Sequence, residues 1–393
     1  MAYYLSPGAK LILAALSGAG CEAYVVGGAV RNMTLGLPVE DWDIAAEAPP
    51  EKILELFPAA HLTGREFGTV TVPLGSEKYE VTPCRREEGY TDGRHPEKVA
   101  FGAGLEQDLA RRDFTMNAVA YNGRALVDPF GGLADIRAGV IRCVGEPAAR
   151  FEEDALRILR AYRFAAVLDF ALEPETERAA LALAPRLGCI SAPRVRAELQ
   201  KALLSAHPAR LEPLVRTGAL APFGIPAGTR SLEVLDRVPG GMLLRWWALF
   251  CLTGAPVEEP CAALQFSADF ERDLRRLGAL FCKTAPACKS ELKGFLRGGV
   301  PCSYGDIART FALLDPRFGG QEELFAQLEE SGEPYALSML AVTGGDLFAA
   351  GLRGKRIGET LELLLTAVLR APALNRHETL LSMAREMNAL ESR

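Results

Sequence analysis

The stretch GLPVEDWDIA, residues 36–45, sets Asp41 and Asp43 one residue apart, with Trp42 between them and an apolar run behind. Side chains two apart on a strand share a face about 7 Å apart, and two carboxylates that close repel unless a cation sits between them. Two readings are open: a loop pair that caps the helix announced by EAPPEKI, or a site for a divalent cation. Just upstream, VVGGAVR reads as a strand, a Gly-Gly turn and a helix start. Backbone N–H groups at a helix N-terminus attract phosphate, and glycine lets an anion approach closely. Alone, a Gly-Gly pair is equally a structural turn. Here Gly28 and Arg31 share one strand–helix–strand unit with the aspartates. Two aspartates beside a triphosphate suit Mg2+, which takes few protein carboxylates and shares phosphate oxygens. Two such ions about 3.5–4 Å apart activate an attacking hydroxyl and stabilise the leaving oxygen. Glu80, in YEVTPCR, is either a third carboxylate or a surface glutamate on a strand.

Two further clusters carry charge into apolar surroundings. ARRDFTMNAVAY, residues 110–121, groups two arginines, an aspartate and an asparagine before an apolar segment; the alternatives are a site and a helix cap by Asp113 with arginines in solvent. In EDALRILRAYRFAAVL the polar residues fall at Asp154, Arg157, Arg160 and Arg163. On one continuous helix that spacing makes a narrow charged ridge about 13–14 Å long. Buried arginines need anionic partners, either a salt-bridge network or a bound phosphate chain.

The elements that must position these residues follow from pattern. AYVVGG reads as a buried strand, AVRNMTLG as a short helix closed by Gly36, WDIAAEA as a second strand and EKILELF as a helix. GTVTVPLG and KYEVTPCR read as paired strands with a turn at Gly75–Ser76, and strands resume at NAVAYN and ALVDPFGG. REEGYTDGRHPEKVAFG has no apolar period and reads as a long mobile loop. After about residue 148 the texture turns helical with Pro and Gly punctuation, so the expected fold is α+β: a mixed-sheet head followed by an all-helical remainder. Pro and Gly density suggests further boundaries near 205 and 290.

Composition excludes several classes. The 393 residues are 49% hydrophobic and 24% charged, ordinary for a globular chain, and no run of apolar residues reaches membrane-spanning length. The N-terminus lacks a basic leader region and reads as an amphipathic helix rather than a signal peptide. Nine scattered cysteines without a C-x-x-C pair and only four histidines support neither a zinc site nor a disulfide framework, and point to a reducing cytoplasm. A net charge of −6 argues against a uniformly basic nucleic-acid binder but leaves room for a basic groove.

Taken together, VVGGAVRNMTLGLPVEDWDIA, YEVTPCRREEGYTDGRHPEKVAF, DLARRDFTMNAVAY, DPFGGLADI, IRCVGEPAARFEEDALRILRAYRFAA and ISAPRVRAELQKAL resemble, in order, blocks of the class II tRNA nucleotidyltransferases, the CCA-adding enzymes, and their relatives the bacterial poly(A) polymerases. TGGDLFAAGLRGKRIGETL and ALNRHETLL extend the likeness more loosely. The resemblance implies a nucleotidyltransferase head (1–147), a helical neck that selects the nucleotide (148–205), a body (206–290) and a tRNA-binding tail (291–393). It implies Mg2+ on Asp41 and Asp43, and Glu80 remains a candidate third catalytic carboxylate from its place in the sequence. It implies a nucleotide held by Gly28, Arg31, Arg112, Asp154, Arg157, Arg160 and Arg163; Arg112 is taken over Arg111 for its spacing to Asp154. REEGYTDGRHPEKV maps to the family's mobile loop and DPFGG to a hinge between head and neck. Asn32 stands where the family usually has aspartate, which bears on a contact to Arg31 rather than on the metal site. Arg353, Lys355 and Arg356 in GLRGKRIG are candidate RNA-backbone contacts, a solvated loop being the alternative. The expected activity is template-independent addition of CCA from CTP and ATP to the tRNA 3′ end, with no membrane or protein partner. Rivals are an A-adding or CC-adding enzyme, a poly(A) polymerase, or an inactive tRNA-binding relative.

Overall fold

The computed structural model describes residues 3–64, 68–90, 96–297 and 300–391, and the chain forms two compact units, Met1–Leu232 and Glu233–Arg393. In the first unit, strands β1 (Ala23–Val26), β2 (Trp42–Ala46), β3 (His61–Gly64), β4 (Thr69–Leu74), β5 (Glu77–Pro83), β8 (Ala120–Tyr121) and β9 (Leu126–Val127) form one sheet in the order β3-β4-β5-β2-β1-β8-β9. Only β2 and β5 pair in parallel; the other neighbours are antiparallel. Alternation assigns the two faces. Val25, Ile44, Tyr79 and Val81 turn one way into a core completed by Ile12 and Leu16 of helix α1 (Pro7–Gly18) and Val30 of helix α2 (Gly28–Leu35). Tyr24, Val26, Ala45 and Ala120 turn the other way, against Leu109 of α4 (Leu105–Ala110), beyond α3 (Pro50–Leu56) in the chain. Asp43 lies between Trp42 and Ile44, so it belongs to the face opposite the larger core.

The predicted turn between β4 and β5 is present, with Leu74 opposite Glu77 and Gly75 at φ 64°. The segment read as a mobile loop is different. Arg85–Tyr90 (β6) and Pro96–Phe101 (β7) form an antiparallel ribbon, and the tip at 91–95 lies outside the described residues. Backbone pairing does not require an apolar period, so the period-based reading had no signal for this element. DPFGG proves to be the capped start of α5 (Gly132–Ala138): Asp128 accepts from the N–H groups of Gly132 and Leu133 at 2.7 and 2.9 Å. A Cβ on Gly132 would stand 2.1 Å from the Thr115 carbonyl oxygen, so only glycine lets these segments touch.

The charged ridge is also rearranged. It is not one helix: α6 (Pro147–Glu153) ends at Asp154, whose φ −147° and ψ 103° are extended, and α7 (Leu156–Leu168) begins beyond it. The Asp154 carboxylate accepts from Leu156 N at 3.0 Å, supplying an acceptor for an N–H that a new helix start leaves open. Helices α8 (Pro174–Leu183) and α9 (Ala192–Leu203) complete this region, with α9 packed along α7. The second unit holds only helices among its described residues. An aromatic cluster of Trp247, Phe281, Phe311 and Phe318, with ring centroids 4.9–5.3 Å apart, occupies its first part. Leu347, Leu364, Leu365, Val368 and Leu380 form a second core toward the C-terminus. The α+β expectation therefore holds. Among the described residues no helix is long and apolar enough to cross a membrane.

Candidate active site

The β1–α2 turn makes the floor of the site. Gly27 sits at φ 69°, ψ −132°, a conformation glycine adopts without strain, and a Cβ there would meet Arg112 Nη1 at 3.1 Å and Asp43 Oδ2 at 3.7 Å. Gly28 opens α2, and Gly36 closes it at φ 70° with Leu37 N–H donating back to the Asn32 carbonyl at 2.9 Å. That closure delivers the chain to Asp41, just before β2, and to Asp43 within it. Asp43 pairs in register with Val26 of β1 and with Glu80 of β5.

A cavity of about 600 Å³ opens here, within the first unit. Asp41 and Asp43 line it, as do Gly28, Arg31, Arg112, Asp154, Arg157, Arg160 and Arg163. Glu40 and Arg194, which the sequence reading did not name for the site, line it too, as do Asn32 and the clustered Arg111, Asp113 and Asn117. Glu80 stands beside Asp43 in the sheet but does not line the cavity. Among the described residues no group of three or more His, Cys, Asp or Glu side chains is arranged to hold a metal.

Electrostatics divide the site in two. On the carboxylate side, burial pushes the Asp43 carboxyl above its ordinary pKa and Asp41 adds to the rise, while Arg112 opposes it. Glu80 is pushed up by burial, then by Asp43 and Asp41. An acidic pair that Arg112 offsets only in part is a donor set that suits a hard dication sharing its shell with phosphate oxygens.

On the arginine side, nearly every guanidinium is paired with a carboxylate, some of them shared. Arg111 and Arg112 bind Asp108 at 2.7 and 3.2 Å, Arg160 binds Asp113 at 2.6 Å and Arg194 binds Asp154 at 2.8 Å. Arg157 pairs with Glu153 and Arg163 with Glu198. Burial works to raise the Asp113 carboxyl, but Arg160 and Asn117 overcome it and hold the group well below the carboxylate range. Asp113 is thus neither a helix cap nor a site of solvated arginines, but the buried anchor of Arg160. Arg31, Arg160 and Arg163 also converge on the ring of Phe164, with guanidinium carbons 5.0, 5.5 and 3.8 Å from its centroid. Arg31 keeps its contact with Asn32, through an amide oxygen.

Two of the pairings had no local signal. Arg194 reaches Asp154 across forty residues of chain and Arg160 reaches Asp113 across forty-seven, each supplied by a different element. Glu153 was legible as the i−4 neighbour of Arg157, although a helix break lies between them.

A mixed sheet carrying an acidic pair beside a phosphate-suited glycine turn, followed by helices that bring arginines over it, defines a nucleotidyltransferase head with a helical module behind it. Residues 23–142 match the family described as the poly A polymerase head domain, and residues 169–226 match the probable RNA and SrmB-binding site of polymerase A. The CCA-adding enzyme of Leuconostoc mesenteroides is 34% identical over 401 residues, covering 96% of each chain. That of Geobacillus stearothermophilus is 43% identical over 240 residues, and this match spans 59% of each chain, less than two thirds of that relative. The crystal structure of the Bacillus stearothermophilus CCA-adding enzyme in complex with CTP superposes with a TM-score of 0.78 at 31% identity, covering 99% of both chains. The chain belongs to the CCA-adding enzyme family of nucleotidyltransferases.

Proposed function

We propose that this chain adds the 3′-terminal CCA of tRNA in the cytoplasm, taking CMP from CTP and AMP from ATP without a nucleic-acid template. One observation carries the reading: one cavity sets an acidic pair, offset only in part by Arg112, against a wall of arginines. Asp41 and Asp43 would hold Mg2+, which supplies activation of the terminal ribose hydroxyl and charge stabilisation at the leaving pyrophosphate. The Gly28 turn and Arg31 face the triphosphate, and Arg112, beside Asp43, faces the reacting phosphate. Arg160 and Arg163, clamped by Asp113 and Glu198, complete the arginine wall of the cavity. Glu80, beside Asp43 on the neighbouring strand, is itself held protonated more readily by burial and the two aspartates.

Base choice belongs to Asp154 and Arg157. A carboxylate accepts hydrogen bonds and a guanidinium donates them. Cytosine and adenine each present an amine beside a ring-nitrogen acceptor, so one Asp–Arg pair serves both. Uracil and guanine present a carbonyl and an N–H in those places, and both contacts become repulsive. The Arg157 guanidinium also donates to the carbonyls of Arg150 and Arg111 at 3.0 and 3.2 Å, which fixes its plane before any base arrives. The remaining division into neck, body and tail, with the tail on the tRNA, follows the family pattern.

The test uses tRNAs lacking three, two or one of the terminal nucleotides, with CTP and ATP supplied separately and Mg2+ present. CTP extending the first two and ATP only the third supports complete CCA addition. ATP extending every end repeatedly would make the chain a poly(A) polymerase, and extension of one class of end alone would make it an A-adding or CC-adding enzyme.

A further inference from the structure

We infer that Asn32 is a positioning residue of the nucleotide site: as a neutral partner it orients Arg31 while leaving that guanidinium's charge uncompensated for a polyphosphate. The inference rests on the reading of this cavity as a nucleotide site. Arg160, Arg163, Arg157 and Arg194 each have a carboxylate within salt-bridge reach. Among the described residues Arg31 makes no salt bridge. Its Nε and Nη2 donate to Asn32 Oδ1 at 3.2 and 2.9 Å, and its Nη1 donates to Asn117 Oδ1 at 2.7 Å. Two amide oxygens thus hold the guanidinium in place without cancelling its charge.

The amide orientation is set by its neighbours, because Arg31 only donates and the Pro38 carbonyl only accepts. Asn32 Oδ1 therefore faces Arg31, and Nδ2 donates to Pro38 O at 2.9 Å. A carboxylate in this place would oppose the Pro38 oxygen and pair with Arg31. Burial, with Arg163 and Arg160, pulls the Arg31 pKa down to about 10 although Asp113, reached only through Asn117, pulls it up, so the group stays charged at neutral pH and gains from an arriving anion.

The test is calorimetric binding of inorganic tripolyphosphate to the full chain in EDTA at several salt concentrations. Wild type is compared with Asn32→Asp, Asn32→Ala and Arg31→Ala, each checked by its melting curve. Asn32→Asp is expected to weaken binding about five- to tenfold and to flatten the salt dependence, as an opposing charge in a half-buried site does. Asn32→Ala, which removes the hydrogen bonds but adds no charge, is expected to lose less and keep the wild-type salt slope. Wild-type affinity in Asn32→Asp, or an equal loss in both variants with unchanged slopes, would overturn the inference and leave Asn32 a structural residue. If wild type fails to bind or Arg31→Ala binds unchanged, the nucleotide site itself is misplaced and the inference falls with it.

Discussion

Asp43 carries the sharpest conflict at the scale of single residues. Its pKa in the folded protein lies above the ordinary carboxylate value, through burial first and Asp41 second. A raised carboxyl makes its ionised form a cost to folding: the cost is absent below the unfolded pKa and fully present above the folded one. In EDTA, Asp43→Asn should therefore raise the melting temperature at neutral pH and change it less in acid, where the native carboxyl is already protonated. A lower melting temperature at neutral pH would show that the pair is compensated by groups other than Arg112. Asp41, Asp43, Gly28 and Arg31 were legible in the sequence because residue type and short spacing bring them together, while Arg112 came in through the family resemblance. Glu198 and Asn117 were not tied to their arginines, since each meets its partner through tertiary packing that no local pattern encodes, whereas Asp108 meets Arg111 and Arg112 at i+3 and i+4, a local spacing that the reading passed over.

The helix break at Asp154 matters most among the elements. The spacing of Asp154, Arg157, Arg160 and Arg163 suggested one ridge, yet the aspartate leaves the helix to accept from Leu156 N and Arg194. A side chain that competes with the backbone for hydrogen bonds can end a helix that apolar periodicity would continue. The consequence reaches the design of a test. Exchanging Asp154 and Arg157 outright would set a guanidinium beside Arg194 and a carboxylate beside Glu153, two like-charge contacts that obscure base choice. Asp154→Ala is the cleaner change. It should lower kcat/KM for CTP and ATP while sparing UTP and GTP, so that discrimination falls by about 10²-fold or more. Unchanged ratios among the four nucleotides would place base choice elsewhere in the cavity. The strands, by contrast, were read well where one face is buried, as in β4 and β5, and missed in the β6–β7 ribbon, which no apolar alternation marks.

At the scale of the whole molecule, a chain of net charge −6 must bind a polyanion through local cations. In the second unit, GLRGKRIG opens the helix Lys355–Arg370 after Gly354 at φ 57°. Arg353 folds back here, stacking 3.9 Å over Phe348 and donating to the Phe348 and Leu352 carbonyls at 2.6 and 2.7 Å. Arg356 donates to Asn388, while Lys355 is 92% exposed beside Glu359. Replacing Lys355 and Arg356 with alanine should weaken tRNA binding and reduce the salt slope by up to about two. A tRNA minihelix should be affected less if the segment meets a distant part of the tRNA. An unchanged slope would leave these charges as a solvated loop, with Arg353 holding it. The two-part plan, sheet then helices, was legible because texture changes along the chain.

The central claim is that Asp41 and Asp43 form the reacting centre of a nucleotidyl transfer to tRNA. Its most direct test is single-turnover transfer of labelled CMP from CTP to a tRNA lacking its last three nucleotides, with Mg2+, by wild type, Asp41→Ala and Asp43→Ala, alongside tRNA binding by each. Wild type should transfer, and each variant should lose at least about 10³-fold in rate, the scale of metal-assisted charge stabilisation, while binding tRNA as before. Near-normal turnover by either purified variant would contradict the account.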